Sequence, residues 1–183
     1  INSVLLMKFL ENLSLAYLNN STIWGVPASY LFNNYSLYIV PMVNPDGVDL
    51  VVGNLAKHNP QKYEYTKRLS QNYPQVPFPQ GWKANINGID LNLQFPAEWE
   101  TARKNKFAQG YTKPGPRDYV GTGPLVAQEA LALYNFTLQK NFSLILAYHT
   151  QGETIYWKFL NYLPPNSYEI GRHFSQVSSY LLE

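Results

Sequence analysis

His149 ends an apolar run, FSLILAYH (142–149), and is followed by Thr150, Gln151, Gly152 and Glu153. A neutral imidazole in that place suits a zinc ligand or a general base, and equally a hydrogen-bonded histidine at a sheet edge. Asp90-Leu91-Asn92 alternates polar and apolar residues, which in a strand turns Asp90 and Asn92 to one side. A carboxylate there can orient a metal-bound histidine through its second ring nitrogen. A turn-capping Asp and Asn explains the same residues. His58, beside Asn59 and Pro60, and His173, beside Arg172, read as surface histidines. None of the three makes an H-E-x-x-H or H-x-H spacing.

Other chemistries are excluded by residue type. The chain has no cysteine, which removes disulfides, thiolate catalysis and Cys-ligated metals. It has no G-x-S-x-G elbow and no glycine-rich phosphate loop; Gly121-Thr122-Gly123 is better read as a turn. Fourteen Lys and Arg against twelve Asp and Glu leave a net charge of +2, too mild for a nucleic-acid footprint. With 45% hydrophobic and 14% charged residues, disorder is not expected. No apolar stretch approaches the roughly 20 residues of a membrane span.

The elements that must position these residues alternate in type. A helix is expected over 2–18, with Leu6, Phe9, Leu10, Leu13 and Tyr17 at helical spacing. SLYIVPMV (36–43) reads as a strand covered on both faces, and Asn44-Pro45-Asp46-Gly47 as a turn straight after it. A helix over 60–72 leads into a breaker-rich connection, Pro74 to Gly81, and residues 84–95 read as a short strand and loop. Residues 106–124 are irregular, as binding loops often are. A helix over 125–140, a core strand over 142–149, a further strand in GETIYWKF and a closing helix over 167–182 follow. At 183 residues the chain suits one domain. The alternation argues for an α/β layered fold, whose ligands gather at the carboxyl ends of strands.

Three segments in this order, YIVPMVNPDGV, WKANINGIDLNLQFP and LILAYHTQGE, resemble the zinc carboxypeptidase (carboxypeptidase A-like) metallopeptidase family. The resemblance implies a three-layer α/β/α fold with a mixed, largely parallel sheet. It implies Zn2+ as cofactor, His149 as the third zinc ligand and Asp90 as the carboxylate that orients a ligand histidine. Asn92 aligns with a substrate-binding asparagine, Gln151 is a further substrate contact, and Lys83 falls near the family's carbonyl-polarising Arg. The family's His-x-x-Glu motif would lie upstream of Ile1, and its general-base Glu beyond Glu183. The expectation is therefore an internal fragment, residues 1–183 of one catalytic domain, incomplete at both ends and inactive alone.

Leu93 stands where carboxypeptidases carry the Arg that grips a C-terminal carboxylate, and leucine has no donor to offer. Residues 149–157 and Pro116–Gly121 instead resemble the bacterial γ-D-glutamyl-L-diamino acid peptidase branch, which cuts cell-wall peptides. Arg117 is then the candidate carboxylate holder, or else a loop Arg paired with Asp118 or solvent. The implied activity is zinc-dependent peptide hydrolysis on a peptide or murein-peptide substrate, without nucleic acid. Bacterial cytoplasm and cell wall fit equally. The alternatives are a metal-free peptide- or glycan-binding module on a decayed peptidase fold, using Tyr111, Tyr119, Tyr156 and Trp157 as stacking surfaces, and an ordinary metallocarboxypeptidase.

Overall fold

The computed structural model describes residues 2–183. In chain order the elements are α1 (Asn2–Leu18), β1 (Thr22–Ile23), β2 (Val26–Pro27), α2 (Ala28–Asn34), α3 (Pro45–Val51), α4 (Leu55–His58) and α5 (Pro60–Ser70). A 3-10 turn (Leu91–Leu93), α6 (Trp99–Ala108), α7 (Gln128–Lys140), β3 (Thr154–Ile155), α8 (Ser167–Ser178) and β4 (Leu181–Leu182) follow. They form two compact units, one from the chain up to Leu37 together with Leu146–Glu183, the other from Tyr38–Ile145.

In the first unit α1 buries Leu13 and Ala16 against Ile23 and Ala28, with Phe9 and Leu31 packed alongside. The helical spacing finds this face, although Leu10 and Tyr17 stay exposed. β1 and β2 pair antiparallel, Thr22 with Pro27 and Ile23 with Val26. Trp24 and Gly25 between them both have positive φ, the conformation that two-residue hairpins demand. β3 and β4 pair in parallel, with α8 packed on both. Gly171 permits that packing, since a Cβ there would lie 2.9 Å from Leu182 and 3.0 Å from Trp157. The expected strand in GETIYWKF is thus two residues long, and the closing helix stops at Ser178 because Ser179 turns left-handed.

The second unit centres on Leu50, Leu55, Trp82 and Ala84, with Tyr63, Leu69, Phe78 and Ile86 around them. Asn44-Pro45-Asp46-Gly47 is not a free turn but the start of α3. Asn44 caps it by accepting from the Gly47 amide at 3.0 Å, Pro45 sits in the first turn, and Asp46 pairs with Lys62 at 2.8 Å. The Asn44 side-chain amide also donates to the Ala84 carbonyl at 2.9 Å, tying α3 to the chain before Asp90. Asn59 and Pro60 repeat the same cap at α5. α7 begins three residues later than expected, at Gln128, because Leu125 is left-handed.

Both long apolar runs depart from expectation. Residues 36–43 and 142–149 form no strand among the described residues, and Leu37, Tyr38, Val40, Leu144, Ile145, Leu146 and Tyr148 are exposed. An apolar run becomes a strand only when another backbone takes up its N–H and C=O groups. Strand pairing among the described residues is limited to the two short pairs and one isolated bridge, Phe159 with Tyr162, so the large mixed sheet is not formed among them. Helix dominates the described chain.

Candidate functional site

The second unit draws one cluster of charge from two distant segments. Backbone bonds lace residues 83–90 to 116–119: the Lys83 and Ala84 amides donate to the Pro116 carbonyl at 2.7 and 2.9 Å, and the Asp90 amide to that of Tyr119 at 2.9 Å. Asp90, 2% exposed, sits at this seam. Its Oδ1 accepts from the Asn92 amide at 3.2 Å, and its Oδ2 from the Asp118 amide at 3.1 Å. Lys83 Nζ lies 3.4 Å from the same Oδ2.

Asp118 adds a second buried carboxylate. Its Oδ1 accepts from Lys106 Nζ and its Oδ2 from Arg117 Nε, both at 2.7 Å. Neighbours in extended chain point to opposite faces, so an ion pair between residues 117 and 118 needs a turn. Asp118 supplies it with φ of 66°, a conformation that Asp tolerates better than most residues. Burial alone would push the Asp118 carboxyl up. Hydrogen bonds from Lys106 and Arg117, with their charges, more than reverse this and hold it below the ordinary carboxylate range. The hydrogen bond to Asp118 in turn raises the Arg117 guanidinium further.

The loop that carries Arg117 is held from several sides. Tyr73 Oη donates to the Lys113 carbonyl at 2.9 Å and accepts from its amide at 3.0 Å. Gly115 lies flat against the Tyr73 ring, where any Cβ would collide. Gln94, fully buried, donates to the Val120 carbonyl and to that of Gly123 at 3.1 Å, and accepts from the Ala127 amide at 2.8 Å. Glu129 at the start of α7 accepts from Asn85 at 3.1 Å. The residues 106–124 read as irregular are thus α6 to Ala108 and then a pinned loop.

The sequence-derived candidates divide accordingly. Lys83, Asp90 and Arg117 come together. Asn92 does not share the Asp90 side, because the segment is a 3-10 turn rather than a strand; Asp90 caps it and is buried while the Asn92 side chain is exposed. Asp90 caps this turn, one of the two readings its sequence allowed. Arg117 pairs with Asp118, the alternative left open by its sequence. His149 and Gln151 lie in the first unit, exposed on irregular backbone, and neither side chain makes a hydrogen bond among the described residues. Lys106 escaped the sequence reading, as did the double role of Asp118; no local spacing links residues twelve apart from a helix into a loop.

The fit to zinc can be tested on donors alone. A catalytic zinc takes three protein ligands, and no group of three His, Asp or Glu side chains gathers among the described residues. The described residues do not make a zinc site by themselves. No helix among them is long and apolar enough to cross a membrane.

The zinc carboxypeptidase family pattern matches residues 1–179. The chain is 44% identical over 180 residues to gamma-D-glutamyl-L-diamino acid endopeptidase 1 of Lysinibacillus sphaericus, covering 98% of this chain and 43% of that protein. It is 37% identical over 178 residues to the uncharacterized protein YqgT of Bacillus subtilis (strain 168), covering 97% and 45%. Carboxypeptidase E of Caenorhabditis elegans is 30% identical over 95 residues, 50% of this chain and 15% of that one. The chain spans less than half the length of these curated relatives. No solved structure matches it.

Proposed function

We propose that this chain, which belongs to the zinc carboxypeptidase family, acts in the hydrolysis of γ-D-glutamyl-diamino acid bonds in bacterial cell-wall peptides. The observation that carries the reading is the Arg117 side chain. Its Nε is held by Asp118, and its two terminal nitrogens make no hydrogen bond among the described residues. A guanidinium so presented can take a carboxylate in a two-pronged grip. Leu93, the position that would otherwise hold a donor, has none to give. The endopeptidase name of the 44% relative supports the same branch.

In this reading residues 1–183 belong to one catalytic domain of α/β/α design, His149 is one of its zinc ligands, and Asn92 and Gln151 touch the peptide. Zinc, if held there, would supply Lewis acidity that brings the pKa of a bound water toward about 7. This chain's own part is to hold the substrate. Arg117 fixes a peptide carboxylate, and Lys83, half exposed beside Asp90, keeps ammonium donors free for a carbonyl oxygen. The test compares kcat/KM of the full-length zinc-loaded protein on a γ-D-glutamyl-diaminopimelate peptide and on a simple C-terminal dipeptide. Faster turnover of the first is expected. Faster turnover of the second makes the protein a carboxypeptidase in the ordinary sense and ends the Leu93 argument.

A further inference from the structure

We propose that Asp118 is a positioning residue for Arg117, and that Lys106 keeps this pair electropositive toward an incoming carboxylate. The inference rests on the reading of Arg117 as a carboxylate holder. Three features of the structure support it. Asp118 grips Nε, the guanidinium nitrogen nearest the side-chain stem, and the two terminal nitrogens carry no hydrogen bond among the described residues. Its backbone is held by the hydrogen bond that its amide donates to Asp90 and carries a left-handed φ of 66°, and its carboxylate is held by Lys106 as well. Arg117 is 44% exposed at its side chain while Asp118 is 9%, so a buried anchor carries an accessible head.

Charge completes the argument. Asp118 and Arg117 alone would cancel and present no net field to an anion. Lys106, 27% exposed and 2.7 Å from the other Asp118 oxygen, restores one positive charge. The nearby Lys83–Asp90 pair cancels within itself. The five groups therefore carry three cations against two carboxylates, an excess of one. That excess attracts a substrate group of charge −1, whereas a neutral carboxamide keeps only hydrogen bonds from the guanidinium and loses the charge attraction.

The experiment uses the full-length zinc-loaded protein and two substrates, a γ-D-glutamyl-diaminopimelate peptide and the same peptide with its carboxylates amidated. Arg117→Ala tests the underlying reading; it should raise KM for the acid roughly a hundredfold, as loss of a charged partner does, and erase the preference for acid over amide. Asp118→Asn tests the inference. Asparagine keeps the left-handed backbone and the side-chain shape but loses the charge, which raises the local positive excess from one to two, so a KM for the acid that still rises reports lost positioning and not a lost field. It should raise KM for the acid roughly tenfold with kcat little changed, and leave KM for the amide where it was. A purely structural role would move both substrates alike. If Arg117→Ala keeps the acid preference, the carboxylate reading fails and the inference with it. If Arg117→Ala erases the preference while folded Asp118→Asn retains wild-type KM for the acid, the inference alone is overturned. Should Asp118→Asn not fold, Lys106→Met decides: a higher KM for the acid only supports the inference, and an unchanged one refutes it.

Discussion

The Asp118 amide donates to Asp90 Oδ2 at 3.1 Å, joining two residues 28 apart in the chain, both buried and both acidic. Two carboxylates so near one another persist because each has its own cations, Lys83 for Asp90 and Lys106 with Arg117 for Asp118. The backbone link fixes the spacing between the two ion pairs. The guanidinium of Arg117 and the ammonium of Lys83 are thereby parts of one frame rather than independent surface charges.

Removing the Asp90 carboxylate should damage that frame. Asp90→Ala strands the Asp118 and Asn92 amides and leaves Lys83 without a partner, an expected loss of about 2–4 kcal/mol in urea unfolding. Asp90→Asn retains one acceptor and should lose less. Equal midpoints for wild type and Asp90→Ala would show that the seam between 83–90 and 116–119 contributes nothing.

Acid should release the Asp118 anchor. Its folded carboxyl titrates below the ordinary unfolded value of about 4, so its contribution is fully present above that value and fades as pH falls through the folded one. The stability difference between wild type and Asp118→Asn should stay level above about pH 5 and shrink on further acidification. Urea midpoints taken across pH 2–7 check this. A difference that persists unchanged at the acid end would mean that Lys106 and Arg117 do not stabilise the ionised form.

Gln94 should behave as a buried staple. Gln94→Ala leaves the Gly123 carbonyl and the Ala127 amide unpaired and the Val120 carbonyl with only its bond from Trp99 Nε1 at 3.3 Å, an expected loss of about 2–3 kcal/mol. Gln94→Glu keeps an acceptor for the Ala127 amide but has no donor for Val120 and Gly123, and should be comparably destabilising. A thermal midpoint near wild type in both variants would contradict the bonding described.

The α3 cap makes a local prediction. Asn44→Ala removes both the bond from Gly47 and the bond to Ala84, and should lower stability by about 1–2 kcal/mol. Gly47→Ala should destabilise as well, because its Cβ would meet the Asn44 side chain. Asn44→Asp, which keeps the cap and loses the donation to Ala84, separates the two contributions.

Much of this molecule was legible residue by residue. Helices expected over 2–18, 60–72, 125–140 and 167–182 stand at Asn2–Leu18, Pro60–Ser70, Gln128–Lys140 and Ser167–Ser178, so their existence, though not every end, was legible along the chain. Even the misread Asn44-Pro45-Asp46-Gly47 held a local signal, since a capping Asn, a first-turn Pro and an acidic residue open a helix as well as they make a turn. A helix closes its hydrogen bonds four residues back, so its instructions lie within the reach of the chain itself. Composition likewise removed thiol and phosphate-loop chemistry without any coordinates, and the ordered motifs led to the zinc carboxypeptidase family.

Tertiary structure alone decided the rest. The runs 36–43 and 142–149 have strand composition, but a strand takes its partners from elsewhere in space, and no apolar pattern can supply them. Whether Asp90 faced a strand side or capped a turn depended on the Pro116–Tyr119 backbone laid against it. Lys106 and Asp118 meet because α6 and the following loop bring them within 2.7 Å, not because of any spacing between them. Attractions between charges act through space and ignore chain order, so their pairing is settled by the fold and not by the order of residues.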